Sequence, residues 1–371
     1  MPTLAASRRL VVKIGSALLV DPVAAAPRAD WLASVAADIF DLRAAGTEVI
    51  VVSSGAIALA RRTLRLDAAR LRLDEKQAAA SVGQIRLAQA WSEALSARGL
   101  TAAQLLLTSE DTEARRRYLN ARATLETLLS LGCVPVINEN DAVATAEIRF
   151  GDNDRLAARV AGMVAADTLV LLSDIDGLYT ADPKRDPGAS HIPVVASLTP
   201  EIEAMGGDPP PGYSSGGMRT KLAAARIATG AGVAMAIAPG TALHPLTALR
   251  DTGRCTWFLP ATDSRSARKG WILGTLTPQG RVLVDAGAAR ALARGGSLLP
   301  AGVRGVEGKF ERGDTVDVHG PDGVLARGLA GYGAADLARI AGHRSEAIFA
   351  LLGWSGRDEV IHRDDLVLLV A

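Results

Sequence analysis

The sequence predicts an α/β protein, a three-layer sandwich on a mainly parallel sheet, followed by a small β-rich domain. Three observations carry that prediction. The chain has 371 residues, 49% of them hydrophobic, enough to bury a large core and to divide into two or three domains. Short β-branched runs alternate with long alanine- and leucine-rich segments, the pattern of a parallel sheet covered by helices on both faces. After about Pro260 the alternation stops, and "PATDSRSARKG" reads as a small, polar, basic linker. Domains are expected at residues 1–262 and 270–371.

Taken in chain order, residues 10–14, 49–53, 105–107, 134–138, 169–173 and 233–238 read as strands. Helical spacing of apolar positions marks 31–45, 75–97, 115–131, 155–165 and 218–228, with Gly46, Gly99, Gly132 and Gly230 at or just after their ends. In the tail, "WILGTL", "GRVLVD" and "TVDVHGPDGVLARGLAG" read as short strands joined by tight turns. The tail aromatics Trp271, Phe310, Tyr332, Phe349 and Trp354 read as core packing rather than base-stacking platforms.

Lys and Arg number 41 against 40 Asp and Glu, a net charge of +1, so no whole-chain field points to nucleic acid or to a membrane. The two cysteines, Cys133 and Cys255, give neither a disulfide framework nor a metal cluster and fit a reducing compartment. The opening "MPTLAASRRLVVKIG" lacks the apolar stretch of a signal peptide, and charges interrupt every apolar run before membrane-spanning length. A cytoplasmic location is expected.

Ligands of open parallel sheets bind beyond the C-terminal strand ends. Four stretches sit there: "VVKIGS" with Lys13, "VVSSGAI" with Ser53 to Gly55, "VINENDAVA" with Asn138 to Asp141, and "LLSDIDGLYTADP" with Asp174. A fifth, "FGDNDRLAA", opens a helix. Each exits a buried segment into small polar residues that let a backbone approach a ligand. One such stretch alone is an ordinary βα turn; four together point to a shared site.

"YSSGGMRTKLAAARIA" matches neither the Walker A pattern nor a G-x-G-x-x-G after a strand. It still offers bare glycine backbone, a helix N-terminus and Lys221 in the first turn or so, parts that suit a polyphosphate. The alternative is a capped helix after the flexible "GGDPPPGYSSGG". In "FGDNDRLAARVA", Asp152 or Asn153 is the expected N-cap, which leaves Asp154 to orient lysine ammonium groups or to hold Mg²⁺. None of the five histidines belongs to these stretches, which fits a nucleophile already ionised at neutral pH, such as a carboxylate.

Together with "PVINENDAVATAEIRFGDNDRLAA" and "SSGGMRTKLAAA", the series resembles, in order and spacing, the glutamate 5-kinase branch of the amino acid kinase family. The tail motifs "SLLPAGVRGVEGKFERGDTVDV", "RIAGHRSEAI" and "VIHRDDLVLL" resemble the PUA domain appended to bacterial members, so the likeness spans nearly the whole chain. It implies ATP- and Mg²⁺-dependent phosphorylation of the side-chain carboxylate of L-glutamate, the first step towards proline.

Carried over by motif, Lys13 and Lys221 contact the phosphates and the transferring phosphoryl group, and Asp154 holds both lysines. Ser54, Gly55, Asp141, Asn153 and Arg149 match glutamate-binding positions. Ser173 and Asp174, with Ser215, Gly216, Gly217, Met218, Arg219, Thr220 and Lys221, match nucleotide-binding segments. No metal ligand from the protein is expected, Mg²⁺ arriving mainly on ATP. Arg149 stands where members often carry lysine, which leaves its role open, and Ser215 stands where threonine is common.

The resemblance further implies feedback inhibition by proline and a homo-oligomer, dimer or tetramer, for which the helix over 75–97 offers either a subunit contact or only a core face. Sibling acceptors such as aspartate and N-acetylglutamate share the fold and stay open. So does RNA binding by the tail, although from Arg268 onward 13 Lys and Arg face 12 Asp and Glu, with no basic surplus.

Overall fold

Beyond Arg9, strand Arg9–Ile14 is apolar apart from Lys13, and Leu10, Val11, Val12 and Ile14 are all fully buried. Val49 to Val52 of strand Glu48–Ser53 are buried in the same way. Burial of successive residues means that both faces of the sheet are covered, the pattern of a mainly parallel sheet between helical layers. The structure, a computed structural model, describes residues 2–66, 71–144, 152–207, 217–264, 266–267, 269, 277–354 and 356–369. It divides into two units, Met1–Ser264 and Arg265–Ala371.

The first unit is built on an eight-stranded sheet. Its order is Val194–Val195, Thr256–Phe258, Ala234–Pro239, Thr168–Ser173, Arg9–Ile14, Glu48–Ser53, Val134–Glu139 and Ala102–Leu107. All neighbours are parallel except Ala234–Pro239 with Thr256–Phe258. Two cores lie on opposite faces. Leu10, Val12 and Ile14 pack with Trp31, Trp91 and Leu95, whereas Val11 packs with Leu125, Leu156 and Leu222. The strand period of two sorts these side chains. One helical layer therefore includes Ala29–Ala44 and Leu73–Ser96, and the other Arg115–Ser130, Asp152–Met163 and Met218–Gly230.

The helix Leu73–Ser96 crosses very close to the segment after Glu48–Ser53. A Cβ placed on Gly83 would lie 1.7 Å from the Ala56 carbonyl oxygen, so no larger residue fits without moving backbone. Gly83→Ala is expected to destabilise the unit by about 1–3 kcal/mol, the range for overpacking. Urea unfolding checks this, and an unchanged midpoint and slope would refute the contact.

Gly46, Gly99 and Gly132 follow their helices with positive φ as expected, but Gly230 is the last helical residue and the left-handed turn falls at Gly232. The helix opened by "GDND" starts at Asp152, three residues before the expected 155. Asn153 therefore lies inside the first turn and is not the N-cap, which frees its side chain for the site below.

The second unit holds a five-stranded sheet in the order Val303–Gly308, Gly280–Val284, Thr315–Gly320, Gly323–Leu329 and Leu366–Leu368. Val282, Phe310, Val316, Val318, Tyr332 and Leu337 fill its core. Two expected core aromatics are instead exposed, Phe349 at 62% and Trp354 at 40%, the latter leaning on the Tyr332 ring at 5.7 Å. Both lie in or just beyond the short helix Ile348–Leu352, too short to bury more than one side, and Ile348 takes the buried position. The strand expected at "WILGTL", with Trp271, and most of the loop 206–217 lie outside the described residues.

Candidate active site

Lys13 lies two residues beyond Val11 on strand Arg9–Ile14, so it faces the layer containing Asp152–Met163 and Met218–Gly230. Both helices begin near this end of the sheet and bring Asp154 and Lys221 to it from their first turns. Lys13 Nζ stands 2.6 Å from Asp154 Oδ1, and Lys221 Nζ 3.7 Å from Asp154 Oδ2. The Thr220 hydroxyl donates to Asp154 Oδ2 at 2.9 Å. Asp154 is 0% exposed, Lys13 8% and Lys221 7%.

Burial by itself would push the Asp154 carboxyl up. The charges of Lys13 and Lys221, with hydrogen bonds from Lys13 and Thr220, outweigh it and hold the group below its ordinary value of 3.8. Burial pushes the Lys221 ammonium down from 10.5; Asp154 opposes this, and the like charge of Lys13 adds to it. One anion between two cations leaves the cluster with a net positive charge, and two ammonium groups at the cleft are suited to a multiply charged anion.

The cleft encloses about 950 Å³. Lys13, Ser54, Gly55, Asp141, Asn153, Ser173, Asp174, Gly217, Met218 and Lys221 line it, so residues from four strand ends and two helix starts converge. Asp154 lies behind the lysines rather than on the wall. Arg219 is exposed and outside the lining, and Thr220 turns to Asp154. Arg149, Ser215 and Gly216 lie outside the described residues. No histidine lines the cleft among the described residues.

Gly55 has φ 122°, a backbone that only glycine adopts easily, and its turn follows Ser54, whose N–H donates to Ile14 O at 2.9 Å. Behind it, the indole N–H of fully buried Trp91 donates to Ser53 Oγ at 2.9 Å.

Sequence reasoning missed part of the wall. The hairpin of Leu178–Tyr179 and His191–Ile192 brings Thr180, Asp182 and Lys184 to the cleft, and its signal was the turn-forming "ADPKRDPG" after a buried strand. Asn138, the first residue of the strand-end stretch read from the sequence, does line the cleft, at the end of Val134–Glu139. Among the described residues no group of three or more His, Cys, Asp or Glu is arranged to hold a metal ion, and no helix is long and apolar enough to cross a membrane.

Residues 8–238 match the amino acid kinase family and residues 280–352 the PUA domain. The chain is 66% identical over 368 residues to the glutamate 5-kinase of Gluconobacter oxydans, covering 99% of this chain and 97% of the relative. It is 63% identical over 369 residues to that of Paramagnetospirillum magneticum, covering 99% and 100%. For Paracoccus denitrificans the identity is 59% over 368 residues, covering 99% of each. A cleft floored by two lysines on one buried aspartate, in a chain alike from end to end to these proteins, leads to one assignment: the chain belongs to the amino acid kinase family, in its glutamate 5-kinase branch, and carries a PUA domain.

Proposed function

We propose that the protein transfers the γ-phosphoryl group of ATP to the side-chain carboxylate of L-glutamate, forming L-glutamyl 5-phosphate, the first step of proline biosynthesis. The observation that carries this reading is the pair of buried lysines fixed on Asp154 at the cleft. A carboxylate is ionised at neutral pH and needs no general base. Its oxygen forms a bond to phosphorus while the bond from phosphorus to the ADP oxygen breaks. Lys13 and Lys221 donate to the phosphoryl oxygens as charge spreads over them, and Asp154 holds both ammonium groups in place.

Ser54, Asp141 and Asn153 hold the amino acid, with Asp141 suited to its ammonium group, and Arg149 matches a glutamate-binding position of the family by motif. Ser173, Asp174 and the start of helix Met218–Gly230, with Ser215 and Gly216 before it, hold the nucleotide. Mg²⁺ supplies charge neutralisation across the phosphates when bound. Asp154 is committed to two lysines and is not offered as a metal ligand, and Mg²⁺ is taken to arrive on the nucleotide. We assign catalysis to residues 1–262, with 270–371 as the PUA-like domain, in a cytoplasmic homo-oligomer inhibited by proline.

An assay with ATP, Mg²⁺ and hydroxylamine, which captures acyl phosphates as hydroxamates, tests the acceptor. Hydroxamate is expected from L-glutamate and not from L-aspartate or N-acetyl-L-glutamate. Equal signals from all three, or none from glutamate, would overturn the assignment.

A further inference from the structure

A line of hydrogen-bonded side chains runs from the helix Leu73–Ser96 into the cleft. Asn138 Nδ2 donates to Gln84 Oε1 at 2.8 Å, and Asn138 Oδ1 accepts from Asn153 Nδ2 at 3.0 Å. Asn153 Nδ2 donates again, to Ser54 Oγ at 2.7 Å. Both N–H groups of Asn153 are thereby used inside the protein, and its Oδ1 is buried with no hydrogen-bond partner among the described residues. Ser54, Asn138 and Asn153 line the cleft, whereas Gln84 stands behind them.

A primary amide has a donor end and an acceptor end, so such a line has a direction. Gln84 presents an oxygen, Asn138 answers with its NH₂ and turns its own oxygen to Asn153. Asn153 in turn spends its NH₂ on Asn138 and Ser54, and its oxygen is what remains. Reversing the first member reverses every other and leaves Asn153 with N–H groups to offer. An oxygen there accepts from an ammonium group; N–H groups there would repel one.

We propose that Gln84 is a positioning residue for the acceptor substrate: by setting the direction of this line it turns Asn153 Oδ1 toward the free amino group of the amino acid. The proposal rests on the reading that the acceptor is free glutamate. A second contact from the same helix face supports it. Gln77, two turns earlier, donates from Nε2 to the Ala144 carbonyl at 3.0 Å, just beyond Asp141. One face of Leu73–Ser96 thus reaches the acceptor side at two places, through Gln77 and Gln84, neither of which lines the cleft.

The test compares Gln84→Glu, which can only accept, with Gln84→Lys, which can only donate, in the full-length protein and the hydroxamate assay. The glutamate KM of Gln84→Glu is expected within about twofold of the parent, whereas Gln84→Lys raises it about tenfold or more, the worth of one charge-assisted hydrogen bond. The KM for ATP stays unchanged and kcat moves by less than about threefold, a split that general loosening of the fold would not produce. A glutamate KM for Gln84→Glu no lower than that for Gln84→Lys overturns the proposal. If thermal unfolding shows that the lysine variant does not fold, Gln84→Met, which neither donates nor accepts usefully, takes its place under the same criterion. A parent protein that forms no hydroxamate from glutamate refutes the substrate reading before any variant is compared, and this proposal with it.

Discussion

Replacing Asp154 by alanine is expected to lower the unfolding free energy at neutral pH by about 3–5 kcal/mol, the usual cost of breaking a buried ion pair from one side, and to remove turnover in the same step. The carboxylate is fully buried and is the shared partner of Lys13 and Lys221. Without it two ammonium groups are left in a partly desolvated site, where burial and the like charge of Lys13 push Lys221 further toward its neutral form. The effect has a pH signature. Because folding depresses the Asp154 pKa below 3.8, its stabilisation is complete above that value and fades as pH falls through the folded value. Urea unfolding of parent and variant should therefore differ most near neutrality and converge in acid below 3.8. A difference that does not shrink there would show that Asp154 acts through packing rather than charge.

Lys221→Met should cut kcat by about 10²–10³-fold, the range for losing one donor to transition-state charge, with a smaller effect on the KM for glutamate. It removes one of the two cations on Asp154 and leaves the other, Lys13, still paired at 2.6 Å, so the fold should survive better than in the Asp154 variant. Single-turnover kinetics at saturating ATP and glutamate would separate this loss from weaker binding. A variant with unchanged kcat would place the phosphoryl group away from Lys221 and remove the basis for the proposed chemistry.

The kinase unit was largely legible because its signals are local. Each central strand is a contiguous buried run, so periodicity put Lys13, Ser54 and Asp174 at strand ends where a parallel sheet binds ligands and Lys221 at a helix start, whereas their individual roles came only from the motif resemblance. The motif resemblance named the same family as the full-length relatives do. What escaped is assembled from residues far apart in the chain. Gln84 reads as one more polar residue on an amphipathic helix, and only the fold sets it against Asn138. Thr220 sits in a segment matched by resemblance to a nucleotide-binding motif, yet its hydroxyl turns to Asp154. Asn153 looked like a cap because it precedes a helical pattern by the usual interval, but the helix starts earlier and releases it to Ser54. In the tail, composition alone could not separate buried Tyr332 from exposed Trp354.

The central claim, direct attack by the glutamate side chain on the γ-phosphorus, has a direct isotopic test. L-Glutamate carrying ¹⁸O in its side-chain carboxylate is turned over with ATP, Mg²⁺ and hydroxylamine, and the released inorganic phosphate is analysed by mass. Attack by the carboxylate leaves its oxygen bridging carbon and phosphorus; hydroxylamine then displaces the phosphate at carbon, so the phosphate carries one labelled oxygen. Unlabelled phosphate would mean that water, not glutamate, takes the phosphoryl group, and would contradict the account.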